Sequence, residues 1–225
     1  MPHDETLDAI ARIFRESPSI LCITVGGISA DSGVPTYRGI GGLYEVDDTE
    51  EGLPIEAILS GTMIRSRPEL TWKYLAEIAA AARGATCNRA HEVIADMERR
   101  FPRVWTLTQN VDGFHRLAGS KNVIEIHGNM RSLSCMSCPR RQEVDETAEF
   151  EIPPRCSACG GILRPDVVLF EEELPAETLR LMQREYETGF SAVCAVGTSG
   201  MFPYIPEPAV VASRLGLPTI EINPS

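Results

Sequence analysis

The chain has 225 residues, of which 43% are hydrophobic and 24% are charged. These proportions are typical of globular proteins and argue against a disordered or fibrous class, while no apolar run approaches the ~20 residues of a membrane-spanning helix. The formal net charge of -11 argues against a protein that binds duplex DNA, because such proteins neutralise phosphates with clustered lysines and arginines. An acidic chain is better suited to a basic partner, such as a lysine-rich peptide.

The first segment, MPHDETLDAIARIFRES, predicts an amphipathic helix, because Leu7, Ile10, Ile13 and Phe14 recur at helical spacing. It carries acidic residues where a secretory signal would carry a basic start and an apolar block. We therefore expect a cytoplasmic protein.

Short apolar runs alternate with helical stretches along the rest of the chain. The runs are ILCITV, VWTLTQ, NVIEIHG, FSAVCAVGTS and PTIEINPS, and apolar runs of this length fit strands buried on both faces of a parallel sheet. The alternation predicts an α/β fold with a doubly wound sheet. Two segments interrupt it, a helical module at 42–84 and a cysteine-bearing module at 129–165, which leaves 1–41, 85–128 and 166–225 to the main domain. Neither module has enough apolar residues to fold alone, so both are expected to pack on the main sheet.

Four of the seven cysteines form two C-x2-C pairs with 17 residues between them. The pairs are CMSC, with Cys135 and Cys138, and CSAC, with Cys156 and Cys159. This spacing predicts a structural zinc site, because each pair places two thiolates on one metal and four thiolates leave no open position for catalysis. The alternative is four unrelated cysteines. The other three are expected to be small hydrophobic residues: Cys22, Cys87 and Cys194.

Polar clusters follow four of the predicted strands: VGGISADSG, TQNVDGFH, IHG and GTS. Because ligands of doubly wound sheets bind outside the carboxyl ends of the strands, we expect these four loops to converge on one crevice. Gly26 and Gly27 would let backbone approach a ligand, and Ser29 is a candidate donor to phosphate. A plain tight turn is the alternative for this loop.

Four further side chains are candidates for the site, each with a structural alternative. Arg38 suits a bidentate phosphate clamp or a solvated surface position. Asp112 suits an acceptor for an amide NH2 or an ordinary helix N-cap. His127, between an apolar strand and a glycine, is the preferred proton acceptor near neutral pH, although a lone histidine there is often structural. His115 competes for this role but falls inside a helix-like segment that begins at Asp112.

The chain contains, in this order, the segments GGISADSGVPTYRG, NRAH, TQNVDGFHRLAGS, EIHG, the cysteine pairs, LRPDVVLFEE, VGTS and EIN. In these segments and in their order, the chain resembles the sirtuins. The resemblance covers nearly the whole chain. Sirtuins are NAD-dependent protein-lysine deacylases with a Rossmann-like NAD-binding domain. The resemblance therefore implies NAD as co-substrate, one structural Zn²⁺, and an acylated-lysine protein or peptide as partner, with no nucleic acid and no membrane among the partners.

The resemblance also implies roles for residues at matching positions. His127 would take a proton from a ribose hydroxyl, and Asn110 would act in catalysis by contacting the nicotinamide ribose and its attacking water. Residues of the predicted acyl-lysine tunnel and substrate strand are Val167, Val168 and Phe170. Residues of the predicted NAD site are Gly26, Gly27, Ile28, Ser29, Ala30, Tyr37, Arg38, Gln109, Asn110, Asp112, Gly197, Thr198, Ser199 and Asn223.

The chain departs from the family pattern at two places. Val25 stands where the usual Gly-Ala-Gly-Ile-Ser begins with glycine, which places a branched side chain where backbone would approach the cofactor. Glu171 replaces the glycine of the usual Phe-Gly-Glu. Leu75 and Ile78 stand at the Tyr-x-x-Arg positions of members that remove succinyl or malonyl groups, so we expect removal of acetyl or other neutral acyl groups.

Two other functions remain open from the sequence. One is mono-ADP-ribosyl transfer or NAD hydrolysis, which the same crevice would support with another nucleophile. The other is a non-catalytic sensor of NAD or ADP-ribose that uses the zinc module to contact a partner. Val25 favours the sensor, whereas the joint presence of Asn110, Asp112 and His127 argues for an enzyme.

Overall fold

The structure is a computed structural model and describes residues 2–34, 49–144, 151–198 and 204–223. Three residues of the predicted NAD site, Tyr37, Arg38 and Ser199, lie outside the described residues. Within these ranges, no helix is long and apolar enough to cross a membrane.

Strands and helices alternate through much of the described chain. The strands are β1 (Ser19–Thr24), β2 (Arg103–Thr108), β3 (Val123–Glu125), β4 (Gly128–Cys135), β5 (Arg141–Glu143), β6 (Leu163–Val167), β7 (Ala192–Val196) and β8 (Thr219–Ile222). The helices are α1 (Pro2–Glu16), α2 (Ile55–Ile58), α3 (Gly61–Ser66), α4 (Pro68–Ala81), α5 (Arg89–Arg100), α6 (Phe114–Leu117), α7 (Ala176–Thr188) and α8 (Glu207–Arg214), with a 3-10 helix over Gly26–Ser32.

The main sheet is parallel, with the strand order β3-β2-β1-β7-β8. The chain builds outward from β1 to β2 and β3 on one side, and then to β7 and β8 on the other. The order therefore reverses between β1 and β7, and in open α/β sheets ligands bind at such a switch point. The predicted doubly wound α/β architecture is confirmed.

Helices cover both faces of this sheet, and the side chains of β1 alternate between them. Leu21 and Ile23 belong to a buried cluster that includes Ala212 of α8 and contacts from α7. Ile20 and Cys22 belong to a second cluster, with Ile94 of α5 and a contact from α1. Successive side chains of a strand point to opposite faces, so a strand in the middle of a two-faced sheet has to be apolar throughout, as ILCIT nearly is.

The helical and cysteine-bearing modules pack on each other as well as beside the main sheet. Helices α2, α3 and α4 share a buried apolar cluster that also contains Val167 and Leu169. Strands β5-β4-β6 form a separate antiparallel sheet, and Trp72 of α4 donates its indole N–H to the Leu163 carbonyl of β6 at 2.9 Å. β6 runs across the predicted boundary between 165 and 166, because it belongs to this small sheet and also leads back to the main domain.

Candidate active site

The predicted polar loops meet at the carboxyl ends of β1, β2, β3 and β7. The backbone N–H of Gly27 donates to the Gly197 carbonyl at 3.2 Å, and that of Gln109 donates to the Thr24 carbonyl at 3.3 Å. On the far side, the N–H of Ile126 donates to the Thr108 carbonyl at 3.0 Å. The loops that are expected to line a crevice therefore meet at the switch point of the sheet.

Two glycines allow the loops after β1 and β7 to touch. A Cβ on Gly27 would lie 2.6 Å from the Gly197 oxygen, and a Cβ on Gly197 would lie 2.5 Å from the Ile28 nitrogen. Gly197 also has φ 63°, a left-handed conformation that favours glycine. The sequence explains the glycine at position 27 by close approach of a ligand. The structure adds a second reason for a glycine there, which is close approach of the loop after β7. A Cβ on Gly26 would meet nothing within 4 Å.

A hydrogen-bonded chain connects three of the predicted site residues. Asn110 Nδ2 donates to Ser29 Oγ at 3.0 Å and to the Val25 carbonyl at 3.2 Å. Ser29 Oγ in turn donates to Asp112 Oδ2 at 2.7 Å. The Ser29 hydroxyl, which is predicted from the sequence to donate to phosphate, therefore donates to Asp112 instead. Ser29 is only 1% exposed. This chain fixes the orientation of Asn110 and Asp112.

Asp112 accepts a hydrogen bond at each of its two carboxylate oxygens. Its Oδ1 accepts from the Phe114 backbone N–H at 2.9 Å, at the start of α6, while Oδ2 accepts from Ser29. The side chain of Arg131 donates to the Asp112 carbonyl at 3.0 Å. The carboxylate is therefore held from the backbone on one side and from the crevice loop on the other.

Val25, the departure from the family glycine, does not project into the crevice. It is 8% exposed and belongs to the same buried cluster as Leu21 and Ile23. The expectation that its branched side chain stands where the cofactor approaches is therefore wrong, because the side chain packs into the core. Its carbonyl faces the site loops and accepts from Asn110 Nδ2.

Ile28 and Ala30, predicted NAD contacts, differ in burial. Ile28 packs with Ile20 and Cys22 in the second core cluster, whereas Ala30 is exposed. Ala30 therefore presents its side chain to solvent, whereas Ile28 holds the loop against the sheet.

His127 lies two residues beyond the end of β3 and is half-buried in the crevice. Its Nε2 is 2.6 Å from the Tyr204 hydroxyl. Burial lowers the pKa of His127, and a hydrogen bond with the Gln109 backbone offsets this in part. An imidazole that is neutral at physiological pH is in the form that accepts a proton.

His115 has a different environment, inside the core. It is 2% exposed, and its Nε2 is 2.9 Å from Thr24 Oγ1. Burial, with a smaller contribution from neighbouring His91, lowers the pKa of His115 to about 3, and the two rings pack edge to face at 4.9 Å. The structure therefore gives His115 a packing role and favours His127 as the proton acceptor.

The predicted substrate segment runs between His127 and the helical module. The Val168 N–H donates to the His127 carbonyl at 2.9 Å. Phe170 donates to the Leu59 carbonyl at 2.9 Å and accepts from the Gly61 N–H at 2.8 Å. Its side chain remains 37% exposed, while Val167 packs inward against the helices.

A clamp that the sequence analysis did not identify shapes this segment. Arg164 donates to both carboxylate oxygens of Glu172, at 2.6 and 2.8 Å, and to the Val167 carbonyl at 2.7 Å. Burial raises the pKa of Glu172, but the hydrogen bonds from Arg164 and the Leu169 N–H outweigh it, so the pKa is lowered. The turn needs this support because Glu171 has φ 67°, a conformation that costs a non-glycine residue about 1–2 kcal/mol.

The other end of the predicted NAD site lies at β7 and β8. Asn223 Nδ2 donates to the Thr198 carbonyl at 3.0 Å, and the Gly197 N–H donates to the Ile222 carbonyl at 2.9 Å. Asn223 is exposed and Thr198 is half-exposed. The two residues thus stand together beside the loop from β7.

The four predicted zinc ligands form one cluster. The Sγ atoms of Cys135, Cys138, Cys156 and Cys159 all lie within 4.8 Å of one another. The Cys135–Cys159 and Cys138–Cys156 sulfur pairs are 3.5 and 3.8 Å apart, close to the ~3.8 Å edge of a tetrahedron with Zn–S bonds of ~2.3 Å. The residues present therefore fit one structural zinc ion.

Backbone groups around this cluster favour thiolates. The Ser137 N–H donates to Cys135 Sγ at 3.4 Å, and a hydrogen bond from the Ala158 backbone lowers the pKa of Cys156 to about 7. Cys22 and Cys194, by contrast, are buried partners on β1 and β7, as expected of small hydrophobic residues.

Sequence and structure comparisons agree with this geometry. The sequence model described as the Sir2 family matches residues 26–202. The chain is 51% identical over 227 residues to NAD-dependent protein deacylase 2 of Pseudomonas aeruginosa, which covers 100% of this chain and 88% of that protein. It is 40% identical over 211 residues to NAD-dependent protein deacylase of Aquifex aeolicus, with 93% and 84% covered.

Two solved structures share the fold. A complex of a Sir2 homologue with NAD is 35% identical with a TM-score of 0.82, and the match covers 97% of this chain and 82% of that one. A Sir2 protein with a deacetylated p53 peptide and 3′-O-acetyl ADP ribose is 27% identical with a TM-score of 0.82, covering 96% and 86%.

Proposed function

The chain belongs to the Sir2 family, and on this premise we propose that it removes acyl groups from protein lysines with NAD as co-substrate. The products would be the free lysine, nicotinamide and an O-acyl-ADP-ribose. The observation that carries the proposal is the placement of His127 beside the segment Val167–Phe170, with Asn110 and Asp112 held in the same crevice.

The geometry supports a division of roles among these residues. NAD would supply an electrophilic ribose carbon with nicotinamide as its leaving group. His127 would accept the proton of a ribose hydroxyl at Nε2, since its ring is held by the Gln109 backbone and its pKa is lowered by burial. Asn110 and Asp112 are oriented through Ser29 before any ligand arrives, and such pre-organisation reduces the ordering cost of binding.

The substrate segment suits an extended peptide. Arg164 bonds to the Val167 carbonyl and Glu172 accepts from the Leu169 N–H, and a backbone held rigid in this way is the kind of template to which an extended peptide adds. The chain's net charge of -11 also suits a lysine-bearing partner. An acylated-lysine protein in the cytoplasm is the partner and location that we propose.

The hypothesis of a non-catalytic sensor rested mainly on Val25 as an obstacle to the cofactor. It loses this support, because the Val25 side chain packs in the core. ADP-ribosyl transfer or NAD hydrolysis remains the second candidate, since both would use the same NAD site with a different nucleophile. The two candidates differ in their products.

Product analysis tests the proposal. The full chain is incubated with NAD and an acetyl-lysine peptide, and the products are identified by mass spectrometry, with a reaction lacking NAD as control. We expect deacetylated peptide, nicotinamide and O-acetyl-ADP-ribose in equal amounts. An ADP-ribosylated peptide, or free ADP-ribose with the peptide still acetylated, would support the second candidate instead, and no turnover of NAD would support a sensor.

The acyl group is expected to be neutral. Leu75 is buried with Val167 and Leu169, and Ile78 packs against the same cluster. Lys73, the one cation of α4, donates to Glu50 and Glu51 at 2.8 Å each, so its charge is already paired. A succinyl carboxylate buried without a cation would cost several kcal/mol.

We therefore expect a higher kcat/KM on an acetyl peptide than on the matched succinyl peptide. The variant Ile78→Arg should narrow the difference by supplying a cation at the tunnel, with acetyl activity as the control for folding. A succinyl value that equals or exceeds the acetyl value in the unmodified protein would mean that another residue supplies the charge.

A further inference from the structure

Tyr204 makes a contact with the proposed base that the sequence analysis did not foresee. Its hydroxyl oxygen lies 2.6 Å from His127 Nε2 and 3.5 Å from Gln109 Nε2. The two rings pack edge to face, with centroids 6.1 Å apart and an angle of 81° between the planes. Tyr204 thus reaches the nitrogen to which the proposed function assigns proton transfer.

The contact belongs to a well-packed part of the protein. Tyr204 packs against the main apolar cluster, and the next residue, Ile205, is 1% exposed within it. The phenol is therefore directed at His127 by the packing of the segment that leads into α8.

The chemistry of both groups favours a bond in which Tyr204 donates. Burial raises the pKa of Tyr204, although Gln109 opposes this in part, so the phenol keeps its proton at neutral pH. Burial also lowers the pKa of His127. The neutral Nε2 has one lone pair and accepts one hydrogen bond.

We infer that the Tyr204 hydroxyl and a ribose hydroxyl of NAD compete for His127 Nε2, so that Tyr204 releases His127 whenever NAD binds. The inference rests on the proposed function, because only there does a ribose hydroxyl approach this nitrogen. Tyr204 acts in it as a positioning residue of the unliganded protein: it holds the imidazole until NAD arrives and opposes nucleotide binding by the strength of one hydrogen bond.

The test measures nucleotide affinity by calorimetry in the full chain and in Tyr204→Phe. ADP-ribose serves as an unreactive probe with the second ribose, and ADP as a probe without it. Net hydrogen bonds of ordinary strength correspond to a change of about 2- to 10-fold in affinity. We expect ADP-ribose to bind Tyr204→Phe more tightly by this factor, with ADP binding unchanged. In turnover, the gain should appear in KM for NAD and not in kcat.

Two further variants isolate the contact. Tyr186→Phe removes a buried hydroxyl that has no hydrogen-bond partner among the described residues, and it should change neither affinity. In a His127→Ala background, Tyr204→Phe should no longer affect ADP-ribose binding, because the competition has lost its acceptor. Tyr204→Leu, which also lacks the hydroxyl, guards against an effect peculiar to phenylalanine.

The outcomes separate this inference from the proposed function. Equal or weaker ADP-ribose binding by Tyr204→Phe and Tyr204→Leu, with both variants folded, would overturn the inference and leave the proposed function standing. The inference would also be overturned if Tyr204→Phe raised the affinity for ADP-ribose by the same factor in the His127→Ala background. Failure of the unmodified chain to bind ADP-ribose or turn over NAD would overturn the proposed function, and this inference with it.

Discussion

Replacing His127 with alanine is expected to lower the deacylation rate by about 10²- to 10⁴-fold, the usual contribution of a positioned general base. Much of the NAD affinity should remain, because Asn110, Asp112 and the loop after β1 are held by one another and do not depend on the imidazole. Steady-state kinetics on an acetyl peptide and calorimetry with NAD would measure the two effects separately.

The pH profile provides a second readout for the same residue. The base has to be neutral, and burial lowers the pKa of His127 from its ordinary 6.5. Activity should therefore persist as the pH falls through 6.5 and be lost only below the shifted pKa. The acid limb of kcat/KM, which reports groups of the unliganded protein, should disappear together with the activity in His127→Ala.

His115 supplies the control. The variant His115→Ala would leave a cavity, because the side chain is 2% exposed. His115→Gln is the better variant, because its terminal amide can replace Nε2 in the bond to Thr24 Oγ1. It should stay active. An equal loss of activity in folded His115→Gln would contradict the assignment of the base to His127.

Loss of one zinc ligand is expected to destabilise the protein. Structural zinc contributes an apparent ~10–16 kcal/mol in zinc-finger peptides. Losing about a quarter of that, ~3 kcal/mol, would lower Tm by about 6–12 °C in a chain of this size. Cys135→Ser should show this shift, because the small apolar cluster of Leu133, Cys156 and Leu163 has little else to hold it together.

Metal analysis and calorimetry would measure this effect. The unmodified chain should contain one zinc per molecule, and Cys135→Ser should lose it to a weak chelator. Cys87→Ser, a cysteine outside the cluster, is the matched control and should keep both its zinc and its Tm. A purified chain without zinc, or a Cys135→Ser variant with unchanged Tm, would contradict a structural zinc site.

Features that depend on residues close together in the chain could be predicted from the sequence. The C-x2-C pairs identify zinc ligands because both thiolates of a pair come from one short turn. The apolar run ILCIT identifies a buried strand because both faces of β1 are covered. The order of motifs identified the family, and placing polar loops after strands located the crevice, since parallel strands end at the same edge.

Features that depend on distant parts of the chain needed the tertiary structure. Gly27 and Gly197 touch because two loops from opposite ends of the chain cross at the switch point. Tyr204 reaches His127 from 77 residues away, and no local pattern marks a tyrosine for such a contact. Val25 illustrates the same limit. From the sequence, the side chain of a residue beside a glycine-rich loop can point either to the ligand or to the core. The packing of the core against β1 decides that the Val25 side chain points inward and its carbonyl toward the site.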